Sequence, residues 1–155
     1  MKKLFINTSA PFKILVLFCL LAGCSATVPL ASTTQDMAAK AVNVAADKSA
    51  IYVIQSTGYT GELNFANVDK EERVALAAET YTVFTVNPGK HTVTLDGPVN
   101  RERLSLNTEA GNTYFVEMGY GWAGGFGHLK VTASVLNESE GRELLGRAKL
   151  VASQD

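Results

Sequence analysis

Hydrophobic and polar residues alternate along most of the chain beyond residue 48. The clearest case is 128–135 (HLKVTASV), where every second residue is apolar. Side chains of a β-strand point alternately to the two faces of a sheet, so this period predicts strands with one buried face. Further short segments rich in β-branched or aromatic residues lie at 50–55, 61–68, 73–77, 80–86, 90–95, 103–107 and 113–118. The pattern predicts a mainly β protein, a small antiparallel β-sandwich or partial barrel of about seven strands.

Two clusters of turn-forming residues separate predicted strands. Asn87-Pro88-Gly89 stands between 80–86 and 90–95, and residues 109–112 (EAGN) stand before 113–118. Proline presets φ and glycine accepts positive φ, so both clusters favour a chain reversal. We therefore expect a β-hairpin at each cluster.

The two ends of this domain have a more helical pattern. Residues 138–150 (ESEGRELLGRAKL) predict a short C-terminal helix with Leu144, Leu145 and Ala148 on one packing face, although two glycines weaken it. Residues 35–47 (QDMAAKAVNVAAD) are alanine-rich and follow Thr34, a candidate helix cap. They form either a short helix or the continuation of a tether.

The N-terminus has the three zones of an export signal. Lys2 and Lys3 precede an unbroken apolar run of eight residues, 14–21 (ILVLFCLL), and small residues follow. A membrane-spanning helix needs roughly 20 apolar residues, so this run predicts a signal helix and not a span. The chain beyond it is expected to be exported.

The end of the signal resembles the lipobox of bacterial lipoproteins. Leu21-Ala22-Gly23-Cys24 stands where that motif belongs. The resemblance implies cleavage between Gly23 and Cys24 and a diacylglyceryl group on the Cys24 sulfur, which would attach the protein to a membrane. An ordinary signal peptide with a chance cysteine is the alternative. More than one acyl chain would make the attachment durable, since a single chain binds only marginally.

These observations divide the chain into three parts. Residues 1–23 form the lipoprotein signal peptide, 24–48 the lipidated cysteine and a tether, and 49–155 the β-sandwich domain. Residues 25–34 (SATVPLASTT) are small and polar, as is typical of a flexible tether. Ser25 follows the lipidated cysteine, and the sorting rule of enteric bacteria then favours the outer membrane. We expect a cell-envelope protein facing the periplasm.

The charge and cysteine content of the chain limit the kinds of partner and reaction that we expect of the domain. Removal of residues 1–23 takes three lysines and leaves 11 basic against 15 acidic side chains, a net charge of −4. A mildly acidic domain is a poor match for nucleic acid. The two cysteines are Cys19, lost with the signal, and Cys24, used by lipid. The domain therefore has no thiol for a disulfide, a nucleophile or a metal, and we expect no cofactor.

Several segments together resemble a known family. The order IYVIQ, YTVFTVNPGKHTVTL, TEAGNTYFVEM and EGRELL is similar to a bacterial lipoprotein domain family known only as a domain of unknown function. The likeness covers 49–145. The stretch from Tyr81 to His91 is also similar to hairpins of PEGA-type repeats. The resemblance implies a prealbumin-like β-sandwich and brings no catalytic residues.

A glycine-rich stretch is the most distinctive local motif. Residues 119–124 (GYGWAG) match G-x-G-x-x-G, but a dinucleotide site requires a helix next, and glycines and a strand follow instead. Tyr120, Trp122 and Phe126 could display aromatic faces on a mobile loop, for a partner or the membrane interface. The other interpretation is that they fold back and cap the sandwich.

Conventional catalytic or metal sites are not indicated. His91 and His128 are the only histidines, and neither belongs to a metal-binding motif, although a surface zinc site is conceivable if they meet in space. We expect hydrogen-bonded or solvated histidines at strand ends. The charge run 69–73 (DKEER) is expected to be a solvated turn and not an acid–base pair.

The sequence therefore predicts a non-enzymatic, membrane-tethered binding or scaffolding module, with envelope proteins as the first expected partners and lipid or cell-wall polymer next. An envelope enzyme or small-ligand carrier, with a site assembled from scattered residues around His91 or His128, is the alternative. A structural subunit of a secretion or efflux assembly is the third hypothesis.

Overall fold

The computed structural model describes residues 27–58, 63–123 and 128–152. The predicted signal segment, Cys24 and Phe126 lie outside the described residues. No helix in this part of the chain is long and apolar enough to cross a membrane.

The described residues form nine strands and two helices. The helices are α1 (Thr33–Lys40) and α2 (Glu138–Arg147). The strands are β1 (Ser49–Gln55), β2 (Asn64–Val68), β3 (Val74–Leu76), β4 (Thr80–Val86), β5 (Gly89–Asp96), β6 (Arg101–Thr108), β7 (Thr113–Ala123), β8 (His128–Leu136) and β9 (Lys149–Leu150). Strands β1 to β8 fall on the segments that the alternation predicts.

The strands form two sheets that pack as a β-sandwich, which confirms the predicted fold class. The five-stranded sheet has the order β8-β7-β1-β4-β9, and the four-stranded sheet has the order β3-β2-β5-β6. The smaller sheet is antiparallel throughout. The larger sheet is mixed, because β1 runs parallel to β7 and β4 runs parallel to β9.

Both predicted hairpins are wrong, because each turn joins two sheets. Strand β4 pairs with β1 in the larger sheet, whereas β5 pairs with β2 and β6 in the smaller one. The turn at Asn87-Pro88-Gly89 therefore arches across the core. The same holds for residues 109–112, which connect β6 to β7. Turn residues permit a reversal, but burial of the apolar faces decides whether the two strands pair edge to edge or pack face to face.

The main core lies between the sheets. Residues 93 and 95 of β5 are fully buried there, as the alternation in that strand predicts. The buried residues of this core are Val28, Ile51, Val53, Ala66, Val68, Leu76, Ala77, Phe84, Val86, Val93, Leu95, Leu106, Val116, Met118, Val131 and Val151.

A second apolar layer covers the outer face of the larger sheet. It contains Tyr52, Ile54, Tyr81 and Phe115 from the strands, together with Leu145 from α2. Every residue of β1 is buried as a consequence, since one face meets the smaller sheet and the other meets this layer.

Helix α2 confirms the predicted C-terminal helix over 138–147 and its packing face. The prediction is wrong at 149–150, which form β9, because these residues pair with β4. Asn137 and Glu140 form a capping box at its start. Leu145 and Ala148 are buried, and Leu144 packs beside them. Gly141 lies so close to Phe115 that an added Cβ would stand 2.2 Å from the ring Cγ. Glycine at this position permits the close approach of helix and sheet.

The N-terminal segment is part of the packed domain from Val28 onward, although its composition suggests a tether. Val28 is buried, and Leu30 forms an antiparallel bridge with Val151. Helix α1 begins after Ser32, not Thr34, because the Ser32 and Gln35 side chains form a capping box. The pattern S-x-x-Q was the available sequence signal for this start.

Asp36 fastens helix α1 to the sheet. Its carboxylate accepts hydrogen bonds from the Tyr81 hydroxyl (3.0 Å) and the Leu150 amide (2.9 Å). It also forms an ion pair with the Lys40 ammonium at 3.0 Å. Burial by itself would raise the pKa of Asp36, but the bonds from Lys40, Leu150 and Tyr81 outweigh it and lower that pKa. Burial of Tyr81, together with the neighbouring Asp36 carboxylate, raises the pKa of the Tyr81 hydroxyl.

Candidate partner-binding site

The described part of the glycine-rich motif lies on a strand that precedes the loop 124–127, which is outside the described residues. Residues 119–123 belong to β7 and pair antiparallel with 128–132 of β8. A dinucleotide site would need a helix N-terminus after the glycines, and the described residues on both sides of this loop are strands instead. The geometry therefore agrees with the exclusion drawn from the sequence.

Tyr120 folds back into the domain. It is half-buried, and its hydroxyl accepts a hydrogen bond of 2.5 Å from the Asn64 amide. Asn64 also donates to Gln55 at 3.1 Å, and both amide side chains are fully buried. Tyr120 therefore gives the buried Asn64 nitrogen a second acceptor, whereas the Asn64 Oδ1 atom has no hydrogen-bond partner among the described residues. The role of Tyr120 is structural.

Trp122 is displayed to solvent. The residue is 72% exposed, although Met118 and Tyr120 on the same face of β7 pack into the main core. Its cross-strand neighbour, Leu129, is half-buried. Tyr120 and Trp122 therefore differ, with the first turned into the core and the second available to a partner. Phe126 lies outside the described residues.

Two more exposed apolar residues lie at this end of the sandwich. Leu63, 36% exposed, precedes Asn64, which contacts Tyr120. Val99 is 55% exposed in the turn between β5 and β6.

Val99 is placed at this end by the hydrogen bonds of the next residue, Asn100. The Asn100 side chain bonds both backbone groups of Val131, the cross-strand partner of Tyr120, at 2.7 and 2.9 Å. We call the surface of Leu63, Val99 and Trp122 the Trp122 end. The sequence analysis missed Leu63 and Val99, and the available signal was an apolar residue beside or within a polar turn.

His91 is engaged at both ring nitrogens. Nδ1 lies 2.7 Å from the Asp69 carboxylate, and Nε2 lies 2.7 Å from the Asn87 carbonyl oxygen. Because both partners accept hydrogen bonds, they favour the doubly protonated ring. The hydrogen bond with Asp69 raises the pKa of His91, and the reciprocal bond from His91 lowers the pKa of Asp69. With neither nitrogen open, this histidine is poorly placed to take a proton from a substrate.

The two histidine positions are far apart along the sandwich. His91 lies in β5 near the arch at 87–89, whereas His128 begins β8 at the Trp122 end. In the described part of the chain, no group of three or more histidine, cysteine or acidic side chains could hold a metal ion. The structure therefore does not bring the described histidine and carboxylate groups into a metal centre.

A groove of about 380 Å³ opens at the side of the sandwich away from β8. It lies between β3 and β4, with Val74, Phe84 and Val151 among its lining residues. Part of the charge run, Glu71 to Arg73, forms its rim, and these three residues are exposed, as expected of a solvated turn.

Comparison of the chain with protein-family models and with characterised proteins finds no match. The resemblance to a lipoprotein domain family therefore remains an expectation from the sequence. The Trp122 end and the groove are the two surfaces of the described residues whose geometry suits a ligand or partner.

Proposed function

We propose that this chain is a lipid-anchored protein of the bacterial cell envelope that acts as a non-enzymatic binding or scaffolding module through its Trp122 end. The observation that carries the proposal is the 72% exposure of Trp122 on a regular strand. Tryptophan is enriched among the residues that dominate protein interfaces, because it buries a large area with few rotatable bonds.

The surroundings of Trp122 support a preformed contact surface. The β7–β8 pairing holds the backbone on both sides of the residue, so a partner would have little to order on binding. Leu63 and Val99 extend the apolar surface at the same end. Covering a large apolar side chain contributes about 2–3 kcal/mol, which suits an energetic centre of an interface.

The expected lipid on Cys24 would hold the domain close to a bilayer. Only three residues separate Cys24 from the buried Val28, and the four steps along the backbone span at most about 14 Å. The segment leading there runs beside β9, three strands away from β7, and its direction from Ala31 to Thr27 is away from the Trp122 end. This geometry favours a protein partner over the bilayer as the ligand of Trp122.

The anchor is tested by labelling cells with a palmitate analogue that carries a detectable tag. We expect the label on the wild-type chain and its loss in Cys24→Ala, which lacks the acceptor sulfur. The variant should also leave the membrane fraction. A wild-type product that keeps its initial methionine, or takes up no label, would refute the lipoprotein assignment.

The surface is tested by crosslinking in intact cells, with Trp122→Ser compared with Val135→Ser. Val135 is a matched control, because it is a 52% exposed apolar residue of β8 in the same sheet. Loss of about 2 kcal/mol at an interface centre weakens binding roughly 30-fold. We expect specific partners to be lost from Trp122→Ser and retained by Val135→Ser. Equal capture by the two variants would remove the Trp122 end from consideration.

A further inference from the structure

Strand β4 has an open backbone edge. Strand β9 pairs with only Thr80 and Tyr81 of β4, and the Val151 amide bonds to the Tyr81 carbonyl at 3.0 Å. Backbone groups of alternate residues point to the same side of a strand, so those of Val83 and Thr85 point to the same side as those of Tyr81. Among the described residues, no backbone group pairs with them on that side.

This open edge forms one wall of the groove. Strand β3, the edge strand of the smaller sheet, forms the other wall. Phe84 and Val74 supply apolar surface between the walls. The edge on the opposite side of the sandwich, that of β8, is not open in the same way. Strand β6 lies against β8, and the Asn100 side chain bonds the N–H and C=O groups of Val131.

The rim of the groove is acidic. Glu71 and Glu72 are exposed and form no ion pair within the described residues. Arg73 also lines the groove, but its guanidinium pairs with Asp96 at 3.1 Å and lies 4.5 Å above the Phe65 ring. Asp96 is shared with Arg101. A ligand in the groove therefore meets two glutamates beside a single arginine, so the rim is acidic on balance.

We propose that the groove binds an extended, basic segment of a partner protein, which adds to β4 as a strand. The ligand's backbone pairs with the N–H and C=O groups of Val83 and Thr85, as in other cases of strand addition to a sheet edge. Its lysine or arginine side chains lie against Glu71 and Glu72. This site is separate from the Trp122 end and requires neither that surface nor the lipid anchor.

Charge complementarity distinguishes this occupant from two others. A second copy of the chain would bring another pair of these glutamates to a symmetric edge-to-edge contact. The last three residues, 153–155 (SQD), contain no basic side chain to oppose the rim. A basic segment of a different protein satisfies both the open backbone and the carboxylates.

The test measures fluorescence anisotropy of a labelled peptide with the full chain in detergent. The probe is a nine-residue peptide of alternating threonine and valine in which two threonines are replaced by lysine, and its matched control has glutamate at those two positions. We expect the lysine peptide to bind at least about tenfold more tightly, because the acidic rim repels the other. Absence of binding, or equal binding of the two peptides, would overturn the proposal.

Backbone pairing is tested with proline. Thr85→Pro removes one N–H from the open edge while leaving the β1–β4 ladder intact, since proline is tolerated where the N–H points off the sheet. Val135→Pro is the matched control, because Val135 is in phase with Val131, whose amide also points off the sheet. We expect about tenfold weaker binding of the lysine peptide by Thr85→Pro and little change for the control.

Charge reversal provides a gain of function that misfolding could not mimic. In the double variant Glu71→Lys, Glu72→Lys we expect the preference to switch to the glutamate peptide. An unchanged preference contradicts the proposal. Two other results would also contradict it. Binding that appears only after residues 153–155 are removed would identify the chain's own tail as the occupant. A dimer of the chain that Thr85→Pro dissociates would identify a second copy as the occupant.

Discussion

At the residue scale, a few polar side chains hold together parts of the chain that are distant in sequence. Asp36 joins helix α1 to β4 through Tyr81 and to β9 through Leu150. His91 joins the arch at Asn87 to the turn after β2 through Asp69. Neither partnership follows from a local motif, because each depends on how the sheets are stacked.

The His91–Asp69 pair predicts how stability changes with pH. The pKa of His91 is raised, so its contribution is fully present below the unfolded-state pKa of 6.5 and is lost as pH rises through the folded-state value. The pKa of Asp69 is lowered, so its contribution is present above 3.8 and is lost as pH falls through its folded-state value. Both contributions are therefore present between those two unfolded-state values.

We accordingly expect the free energy of unfolding in urea to fall as the pH rises above 6.5 and through the raised pKa of His91. Asp69→Asn should flatten this slope, because the neutral amide no longer stabilises the imidazolium. Asp47→Asn is the control, since Asp47 is exposed and lies in a turn. A slope that persists unchanged in Asp69→Asn would show that this pair is not its source.

At the element scale, the two glycines of helix α2 have opposite roles. An added Cβ at Gly141 would collide with Phe115, which is only 2% exposed and so has no space to move. Around Gly146 nothing lies within 4 Å of an added Cβ. The sequence shows only two glycines that weaken a helix, because helix propensity does not report how closely the helix approaches a sheet.

Alanine substitutions should separate these roles. Gly141→Ala is expected to destabilise the protein by about 1–3 kcal/mol, because the methyl group overpacks the helix–sheet contact. Gly146→Ala should stabilise it by about 0.5–1 kcal/mol through better helix propensity. Urea unfolding of both variants checks the prediction. Similar effects of the two substitutions would contradict the close packing at Gly141.

The arches also belong to this scale. The positions of β4 to β7 follow from local alternation and turn residues, yet their pairing partners do not. A turn such as Asn87-Pro88-Gly89 is compatible with a hairpin and with a crossing between sheets. Strand β7 has partners on both edges, β1 and β8, whereas β4 keeps an open edge beyond Tyr81. The first arch therefore follows from burial of the apolar face of β5 against the larger sheet and not from the lack of an edge.

At the scale of the whole molecule, the sandwich has three layers, and the segment before β1 supplies part of the outer one. Val42 and Val44 pack against the outer apolar layer, and the Tyr52 hydroxyl donates to the Ala39 carbonyl at 2.7 Å. A flexible tether would contribute none of these contacts. The segment before β1 therefore completes the domain.

Truncation tests this organisation. A chain that begins at Ser49 lacks Val28, helix α1 and the contacts of Val42 and Val44, so it should lose about 3 kcal/mol or more of apolar stabilisation. A chain that begins at Thr27 retains them and should unfold like the longer protein. Urea denaturation of the two truncated chains gives the comparison. Equal stability of the two truncated chains would instead support the interpretation of residues 27–48 as a tether.

The sequence by itself determined the features that depend on neighbours along the chain. These are the positions of strands β1 to β8, the C-terminal helix over 138–147 with its packing face, the apolar pattern of β5 and the solvated charge run at 69–73. The export signal and the lipidation of Cys24 also depend on a contiguous motif, and they stay predictions, since these residues lie outside the described part of the chain. Each follows from periodicity, turn chemistry or a contiguous motif, which need no knowledge of distant contacts.

Only the tertiary structure decided which surfaces are available. It separated the aromatic residues of β7, turning Tyr120 towards Asn64 and leaving Trp122 exposed. It also left Val83 and Thr85 at an open edge, with Val83 lining the same groove as two glutamates. The exposure of a side chain depends on which sheet covers its face of the strand. An open backbone edge depends on where the neighbouring strand ends. Those are relations between distant segments, and a one-dimensional pattern does not contain them.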